Sequence, residues 1–153
     1  MVVKINMPAP DFSLQDSKGS VRTLSEFKGK KVVLYFFPKS DTPGCTKEAC
    51  SFRDSNNLYG DNNITVIGIS YDSPETLKAF KEKYKLPFIL LSDNEKKVAH
   101  EYGAYKSILN ILYPERITFL INEQGILTQL LDNVNVTTHA QDILKLFNVT
   151  QAQ

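Results

Sequence analysis

Two cysteines lie five residues apart between Pro38 and Asp54, and the chain contains no other cysteine. Cys45 follows Thr-Pro-Gly, and Cys50 comes later in the same run of residues. The thiolate is the reactive form of cysteine. In a reducing compartment a cysteine pair is more often catalytic or redox-active than structural. These two sulfur atoms are therefore the first candidates for a reactive site.

The residues before Cys45 predict the start of a helix at the end of a strand. Thr42 suits the N-cap position, where its side-chain oxygen would bond a backbone N–H two or three residues on. Pro43 suits the first helical position, and the apolar run 31–37 leads into the helix as a strand. Cys45 would then lie in the first turn, where unpaired N–H groups and the helix dipole stabilise a thiolate. A thiol in such a position ionises more readily than a free thiol, whose pKa is about 8.5.

Each candidate residue also has an ordinary structural interpretation. Cys45 could be a small apolar helix residue, the commoner role of a free cysteine. Gly44, which would leave the thiol uncrowded, and the turn from strand to helix argue against that interpretation. Cys50, taken alone, is equally well explained as a buried helical residue, and Glu48 as a surface charge. Arg116 opens an apolar strand, where it either extends its charge to solvent or supplies positive charge near the thiolate.

The pattern of the whole chain predicts strands that alternate with helices. It indicates a mixed α/β sheet with helices on its faces and a hairpin at each end of the strand order. The predicted strands are 31–37, 64–70, 88–91, 117–121 and 126–131, after an N-terminal hairpin within 12–24. The predicted helices are 42–58, from Ser73 to before Pro87, 96–102 and 138–147, the last with a capping box of Thr138 and Gln141.

Composition and charge limit the classes of function. The 153 residues carry a net charge of +1 with acidic and basic residues intermixed, so we expect no nucleic-acid partner. No apolar run is long enough to span a membrane, and the first ten residues lack the apolar core of a secretion signal. Two cysteines are too few for a disulfide-stapled secreted scaffold. We therefore expect one domain, located in the cytoplasm.

The two histidines contribute little to this interpretation. His100 is predicted to lie on a helix surface. His139 is predicted in a first helical turn, where a protonated imidazole is not favoured. A zinc site made from two cysteines and two histidines would need much tighter spacing than the chain offers. We therefore expect no metal site.

Several segments together resemble one protein family. The pattern Pro38-x-x-x-Thr42-x-x-Cys45 matches the active-site motif of the peroxiredoxins, and the longer run 35–54 resembles their bacterioferritin comigratory protein (Q-type) subfamily. Residues 9–12 look like the family's N-terminal hairpin start, and residues 116–121 look like its second active-site segment. The resemblance covers nearly the whole chain, and the combination is far more specific than either cysteine alone.

The resemblance implies a thioredoxin-like fold, with a central mixed sheet flanked by helices and an N-terminal hairpin extension, in a single domain over 1–153. It also implies a thiol-dependent peroxidase acting on hydrogen peroxide and organic hydroperoxides. By matching position, Cys45 would be the peroxidatic cysteine, and Cys50 would resolve its sulfenic acid into a disulfide. Thioredoxin or a similar dithiol protein would reduce that disulfide. No metal, flavin or haem cofactor is needed, because sulfur carries the electrons.

The same resemblance implies roles for the surrounding residues. Thr42 would hydrogen-bond the thiolate and the peroxide, while Arg116 would favour the thiolate and orient the peroxide. Pro38 would shield the pocket. Glu48 would help to position the arginine, and Gly44 is grouped with Pro38 and Glu48 as substrate-binding. We expect a monomer, or at most a weak dimer.

Two other functions would also use a cysteine pair. A thioredoxin-type disulfide reductase is disfavoured because the chain lacks a Cys-x-x-Cys sequence. A redox-sensing binding protein could use the apolar run from Ile108 to Tyr113 as its interface. We favour the ordinary explanation of that run, a core-facing segment or a dimer contact. Turnover separates the two classes, because an enzyme consumes many peroxide molecules per chain and a sensor reacts once.

Helix geometry sets a condition on any disulfide between the two cysteines. Five residues along an α-helix separate two Cα atoms by about 8.6 Å, whereas a disulfide needs them within about 7 Å. The reduced chain should therefore have a continuous helix from about Thr42 through Cys50. Oxidation should unravel at least one turn around Cys50.

Overall fold

The computed structural model of the chain describes residues 3–105 and 112–149. Its strands are β1 Ser13–Asp16, β2 Val21–Thr23, β3 Lys31–Phe36, β4 Ile64–Ser70, β5 Ile89–Ser92, β6 Ile117–Ile121 and β7 Leu127–Leu131. They form one mixed sheet in the order β2-β1-β5-β4-β3-β6-β7. The three inner strands β5, β4 and β3 are parallel, while β6 runs antiparallel to β3. Antiparallel hairpins form both edges of the sheet, as the sequence predicts.

β3 is buried on both faces because it lies in the middle of the sheet. Val33 and Tyr35 face one apolar core, and Val32 and Leu34 face the other. A strand covered on both sides is apolar at nearly every position rather than at alternate ones. The continuous apolar run of this segment therefore predicted its central place correctly.

Helices cover both faces of the sheet. They are α1 Pro43–Asp54, α2 Asn56–Asp61, α3 Pro74–Tyr84, α4 Lys97–Tyr102 and α5 His139–Leu146, with a 3₁₀ turn at Ser25–Phe27. α1, α2, α3 and α5 pack on one face, and α4 and the 3₁₀ turn pack on the other. Among the described residues, no helix is long and apolar enough to cross a membrane.

Two helix boundaries follow the predicted signals, and one predicted helix is interrupted near its end. Ser73 caps α3 by accepting a hydrogen bond from the N–H of Thr76 at 3.2 Å, and Gly103 ends α4 in the left-handed conformation. The predicted helix 42–58 instead ends at Asp54 and restarts as α2 after Ser55. The break falls in a Ser-Asn-Asn run, whose short polar side chains compete with helical hydrogen bonds.

The capping box predicted for the last helix does not form. The Thr138 hydroxyl donates to Asp142 Oδ2 at 2.8 Å, and no side-chain cap is present at this helix start. Gln141 Oε1 instead accepts a hydrogen bond from the Ser51 hydroxyl of α1. The tertiary contact with α1 thus replaces the local motif.

Most of the run from Ile108 to Tyr113 lies outside the described residues, and its last two side chains, Leu112 and Tyr113, are exposed.

Candidate active site

Cys45 lies where the central strand turns into a helix. β3 ends at Phe36, the chain turns through 38–42, and α1 places Cys45 at its third residue. The Cys45 side chain is buried in the core beneath α1, and Cys50 is partly exposed further along the same helix. Both thiols are free, and α1 is unbroken from Pro43 through Cys50. The predicted continuous helix in the reduced chain is therefore confirmed.

Arg116 reaches the cysteine from a neighbouring strand. It directly precedes β6, and the register places Ile117 opposite Phe36, the last residue of β3. The side chain is thereby brought over the start of α1. Its Nη2 lies 3.4 Å from Cys45 Sγ, and its Nη1 donates to Glu48 Oε1 at 2.6 Å. The arginine thus supplies positive charge next to the thiol, rather than extending that charge only to solvent.

Glu48 is fully buried, so the interpretation as a surface charge is wrong. Burial raises the pKa of Glu48 to about 7, although the adjacent Arg116 acts in the opposite direction. Burial also opposes the charge of Arg116, but Glu48 and the Cys45 sulfur outweigh it, and the pKa of Arg116 is raised. One guanidinium therefore serves both a carboxyl group and a thiol in a mostly buried setting.

Gly44 makes the approach of the arginine possible. A Cβ atom added at this position would lie 3.1 Å from Arg116 Nη2. Few real Cβ contacts are that close, so the guanidinium would have to move away. The sequence analysis predicted that Gly44 leaves the Cys45 thiol uncrowded. The structure shows that the group requiring the space is the arginine.

Thr42 does not form the predicted side-chain cap. Its hydroxyl donates to the carbonyl oxygen of Lys39 at 2.8 Å, and only its carbonyl accepts a helical N–H, from Thr46. The hydroxyl is used in the preceding turn, where the chain reverses between strand and helix. Within the described part of the chain, α1 therefore starts without a side-chain cap on its N–H groups. Unoccupied N–H groups at a helix start favour a bound anion or a thiolate.

A polar contact with the end of β4 holds the turn that contains half-buried Pro38. Asp72 Oδ2 accepts hydrogen bonds from both the N–H and the hydroxyl of Ser40, at 2.8 and 2.7 Å. Asp41, which has a positive φ of 62°, bonds Lys83 and Tyr84 of α3. Sequence reasoning missed this support, because nothing local to Asp72 indicates a contact 32 residues away.

His139 is the second residue that sequence reasoning missed. It is buried, with Nε2 2.7 Å from Thr118 Oγ1 and 3.8 Å from Glu48 Oε2. Its spacing of four residues from the buried Ile143 places both on one helix face, a signal that could have predicted its burial. His100, by contrast, is exposed on α4 as expected.

The arrangement brings Cys45, Arg116, Glu48 and Gly44 together at one helix start. A positive group and free N–H donors around a buried thiol favour the thiolate, which is a strong nucleophile. The same donors can stabilise negative charge that develops on an attacked substrate. Cys50 lies on the same helix, five residues further along, and its thiol is not bonded to Cys45. The site can therefore support nucleophilic thiol chemistry.

Comparison with known proteins agrees with this geometry. Residues 5–130 match the family model described as AhpC/TSA. Peroxiredoxin Bcp of Bacillus subtilis is 42% identical over 149 residues, which cover 95% of each chain. The crystal structure of peroxidoxin BcpB from Mycobacterium tuberculosis has a TM-score of 0.88 at 32% identity, and the match covers 98% of this chain and 99% of that one.

A further solved structure is that of the Xanthomonas campestris bacterioferritin comigratory protein, whose alkyl peroxide reduction activity was examined in trapped intermediate and ligand complexes. It matches with a TM-score of 0.84 at 30% identity over 90% of each chain. These matches confirm the thioredoxin-like fold. Because the family match and the relatives extend over most of the sequence, the chain belongs to the AhpC/TSA family, in its bacterioferritin comigratory protein (peroxiredoxin Q) group, and is a thiol-dependent peroxidase.

Proposed function

We propose that Cys45 is the peroxidatic cysteine of this enzyme. Its thiolate attacks the terminal oxygen of a hydroperoxide, the O–O bond breaks, and the sulfur becomes a sulfenic acid. The leaving oxygen takes up a proton and departs as an alcohol, or as water from hydrogen peroxide. The observation that carries the proposal is the contact of Arg116 Nη2 with Cys45 Sγ at 3.4 Å. Arg116 and the N–H groups of α1 stabilise charge on the thiolate and on the leaving oxygen.

Cys50 is the resolving cysteine in this proposal. Its thiol condenses with the Cys45 sulfenic acid, which forms one S–S bond and releases one water molecule. Cys50 is the second cysteine of the chain and lies on the same helix. Its partial exposure lets the disulfide reach a second protein once the helix unravels. Thioredoxin or a similar dithiol protein then reduces the disulfide and is itself oxidised.

Organic hydroperoxides and hydrogen peroxide are the proposed substrates. Alkyl peroxide reduction by the Xanthomonas campestris relative supports the organic class. The proposed attack by the Cys45 sulfur involves only the peroxide oxygens, so it places no demand on the organic group. We further infer that the protein acts as a monomer in the cytoplasm, where thiols are kept reduced and both cysteines are available.

The assignment of the two cysteines is tested by two serine variants. With thioredoxin, its reductase and NADPH, Cys45→Ser should consume neither hydrogen peroxide nor cumene hydroperoxide, because a hydroxyl is hardly ionised at neutral pH. Cys50→Ser should reduce one peroxide per chain and then stop, leaving a sulfenic acid that dimedone traps. Substantial turnover by Cys45→Ser would refute the assignment of Cys45. Unchanged thioredoxin-driven turnover by Cys50→Ser would refute that of Cys50. A parent chain that reacts only once would instead indicate a redox sensor.

A further inference from the structure

Glu48 has one bonded and one unbonded carboxylate oxygen inside the site. Oε1 accepts the hydrogen bond from Arg116 Nη1, while Oε2 has no hydrogen-bond partner among the described residues. A buried carboxylate oxygen without a partner makes the ionised form costly. The group beside Oε2 therefore determines how readily Glu48 ionises, and how firmly it holds the arginine.

His139 is the group that lies beside Oε2. Its Nε2 is 3.8 Å from Glu48 Oε2 and 2.7 Å from Thr118 Oγ1, and the residue is only 3% exposed. The ring also packs edge-on against Phe52 of α1, with ring centroids 5.6 Å apart. Contacts from β6 and α1 thus fix the imidazole with one nitrogen facing the carboxylate.

The imidazole is neutral at physiological pH. Burial lowers the pKa of His139 to about 4, and Asp142 opposes this effect while Arg116 adds to it. The contact with Glu48 is therefore not an ion pair. We place the ring hydrogen on Nε2, so that the N–H dipole donates to Thr118 Oγ1 while its nitrogen lies 3.8 Å from Glu48 Oε2. Such a dipole favours the ionised carboxylate.

We propose that His139 is a positioning residue of the peroxidase site, which holds Glu48 and, through it, keeps Arg116 against the Cys45 sulfur. The inference rests on the proposed function of Cys45. Among the residues that the structure describes, the charged or titratable groups that act on Glu48 or are acted on by it are Arg116 ahead of β6, His139 on α5 and Tyr35 on β3. The N-terminal turn of α5 thereby contributes to a site whose other residues lie on α1 and at the start of β6.

Removing the imidazole should weaken the hydrogen bond between Arg116 and Glu48 at low and neutral pH. In His139→Leu, the polar nitrogen 3.8 Å from Oε2 is lost, so Glu48 stays protonated to higher pH and binds the guanidinium less firmly. The rate constant for peroxide should fall by about fivefold at pH 7 and by about tenfold well below pH 7, the effect of a one-unit rise in the pKa of Glu48 from about 7. The acid limb of the pH–rate profile should move up by about one unit, and the rates should converge at high pH.

Two further variants separate positioning from packing. His139→Gln keeps an N–H donor near the carboxylate and should retain a rate within about threefold of the parent, a fraction of the loss in His139→Leu. His100→Leu removes an exposed histidine on α4 and should match the parent. An unshifted profile in His139→Leu would refute the inference. Equal decreases in the rate constant for His139→Leu and His139→Gln would refute it too, because the altered packing of the side chain would then explain both decreases.

Two further variants are needed, one in case His139→Leu does not fold and one to test the proposed function of Cys45. If circular dichroism shows that His139→Leu does not fold, Thr118→Val replaces it. That nearly isosteric change removes the ring's hydroxyl partner and should move the acid limb in the same direction, whereas an unmoved limb contradicts the inference. Cys45→Ser is assayed in parallel, because activity in that variant would overturn the proposed function itself. An inactive Cys45→Ser with an unaffected His139→Leu overturns only the role of His139.

Discussion

Arg116 joins the two groups of the site that compete for positive charge. Its guanidinium contacts both the Cys45 sulfur and the buried Glu48 carboxyl group. A flexible ammonium could satisfy either group, but the planar guanidinium presents separate N–H donors to both at once. The thiolate and the carboxylate are therefore held at fixed positions by one side chain.

The first prediction concerns that guanidinium. Arg116→Met should slow the reaction of Cys45 with peroxide by about a hundredfold, the typical effect of removing one preorganised charged donor. Peroxide consumption under single-turnover conditions measures this rate. Arg22→Met is the matched control, because Arg22 pairs with Glu26 and Asp16 on the hairpin. An unchanged rate would show that Arg116 takes no part in the reaction of Cys45 with peroxide.

The second prediction concerns the space beside the arginine. Gly44→Ala should stabilise α1 by up to about 1 kcal/mol, since alanine is the better helix former. The new methyl group should also displace Arg116 and slow peroxide reduction by about fivefold, because small misplacements of catalytic groups are costly. Stability and rate would then change in opposite directions.

Gly60 provides the matched control for this change. It is also helical, on α2, and no atom lies within 4 Å of an added Cβ. Gly60→Ala should therefore gain stability in urea unfolding and keep the parent rate. If Gly44→Ala also kept the parent rate, the arginine would have tolerated the methyl group, and the account of Gly44 would be wrong.

At the scale of elements, the proposed function places two conflicting requirements on α1. It must be intact to present Cys45 beside Arg116, and it must open before Cys50 can reach Cys45. The helix is also attached to α5, because the N–H of Ala140 donates to the Ser51 hydroxyl at 3.2 Å and Ser51 donates to Gln141. Ser51 immediately follows Cys50, so unravelling at Cys50 should loosen that attachment.

Amide hydrogen exchange tests this opening. The oxidised chain should exchange faster than the reduced chain across 46–54, because a Cys45–Cys50 disulfide does not fit an intact helix. The amide of Ala140, whose partner is Ser51, should also lose protection. Amides of α3 serve as the internal control and should exchange equally in both states. Equal protection of 46–54, with the disulfide confirmed by mass spectrometry, would contradict the opening.

At the scale of the whole molecule, two buried groups give opposite dependences of stability on pH. The pKa of His139 is about 4 in the folded protein and about 6.5 in the unfolded chain. The folded protein therefore loses stability as pH falls through this range. The pKa of Glu48 is about 7 in the folded protein and about 4.5 in the unfolded chain. The folded protein therefore loses stability as pH rises through that range. Between about pH 4.5 and 6.5 the two slopes largely cancel.

Urea unfolding of two variants separates these slopes. Relative to the parent, His139→Gln should become progressively more stable as pH falls from about 6.5 to 4, by about 3 kcal/mol in all. Glu48→Gln should become more stable relative to the parent as pH rises from about 4.5 to 7, by a similar amount. Difference curves that are flat with pH for either variant would show that the group titrates alike in both states.

The sequence alone was sufficient for the local features of the site. The Thr-Pro-Gly-Cys run, the apolar strand before it and the turn residues predicted where α1 begins and where Cys45 lies. Period-two and period-3.6 patterns predicted the order of strands and helices, because those patterns record which faces are buried. Segment 116–121 was placed correctly as a strand opening with arginine.

Tertiary structure decided which distant residues meet and which local motifs fail. The sequence allowed Glu48 to be a surface charge. In the structure α5 and β6 cover the face of α1 that carries it, and Thr118 is buried there too. Thr42 and Thr138 carry capping side chains, yet the hydroxyl of the first bonds Lys39 and that of the second bonds Asp142. His139 and Glu48 are 91 positions apart in the chain, and only the packing of α5 on α1 brings them together. A local pattern describes what one segment can do alone, whereas burial depends on the elements that pack against it.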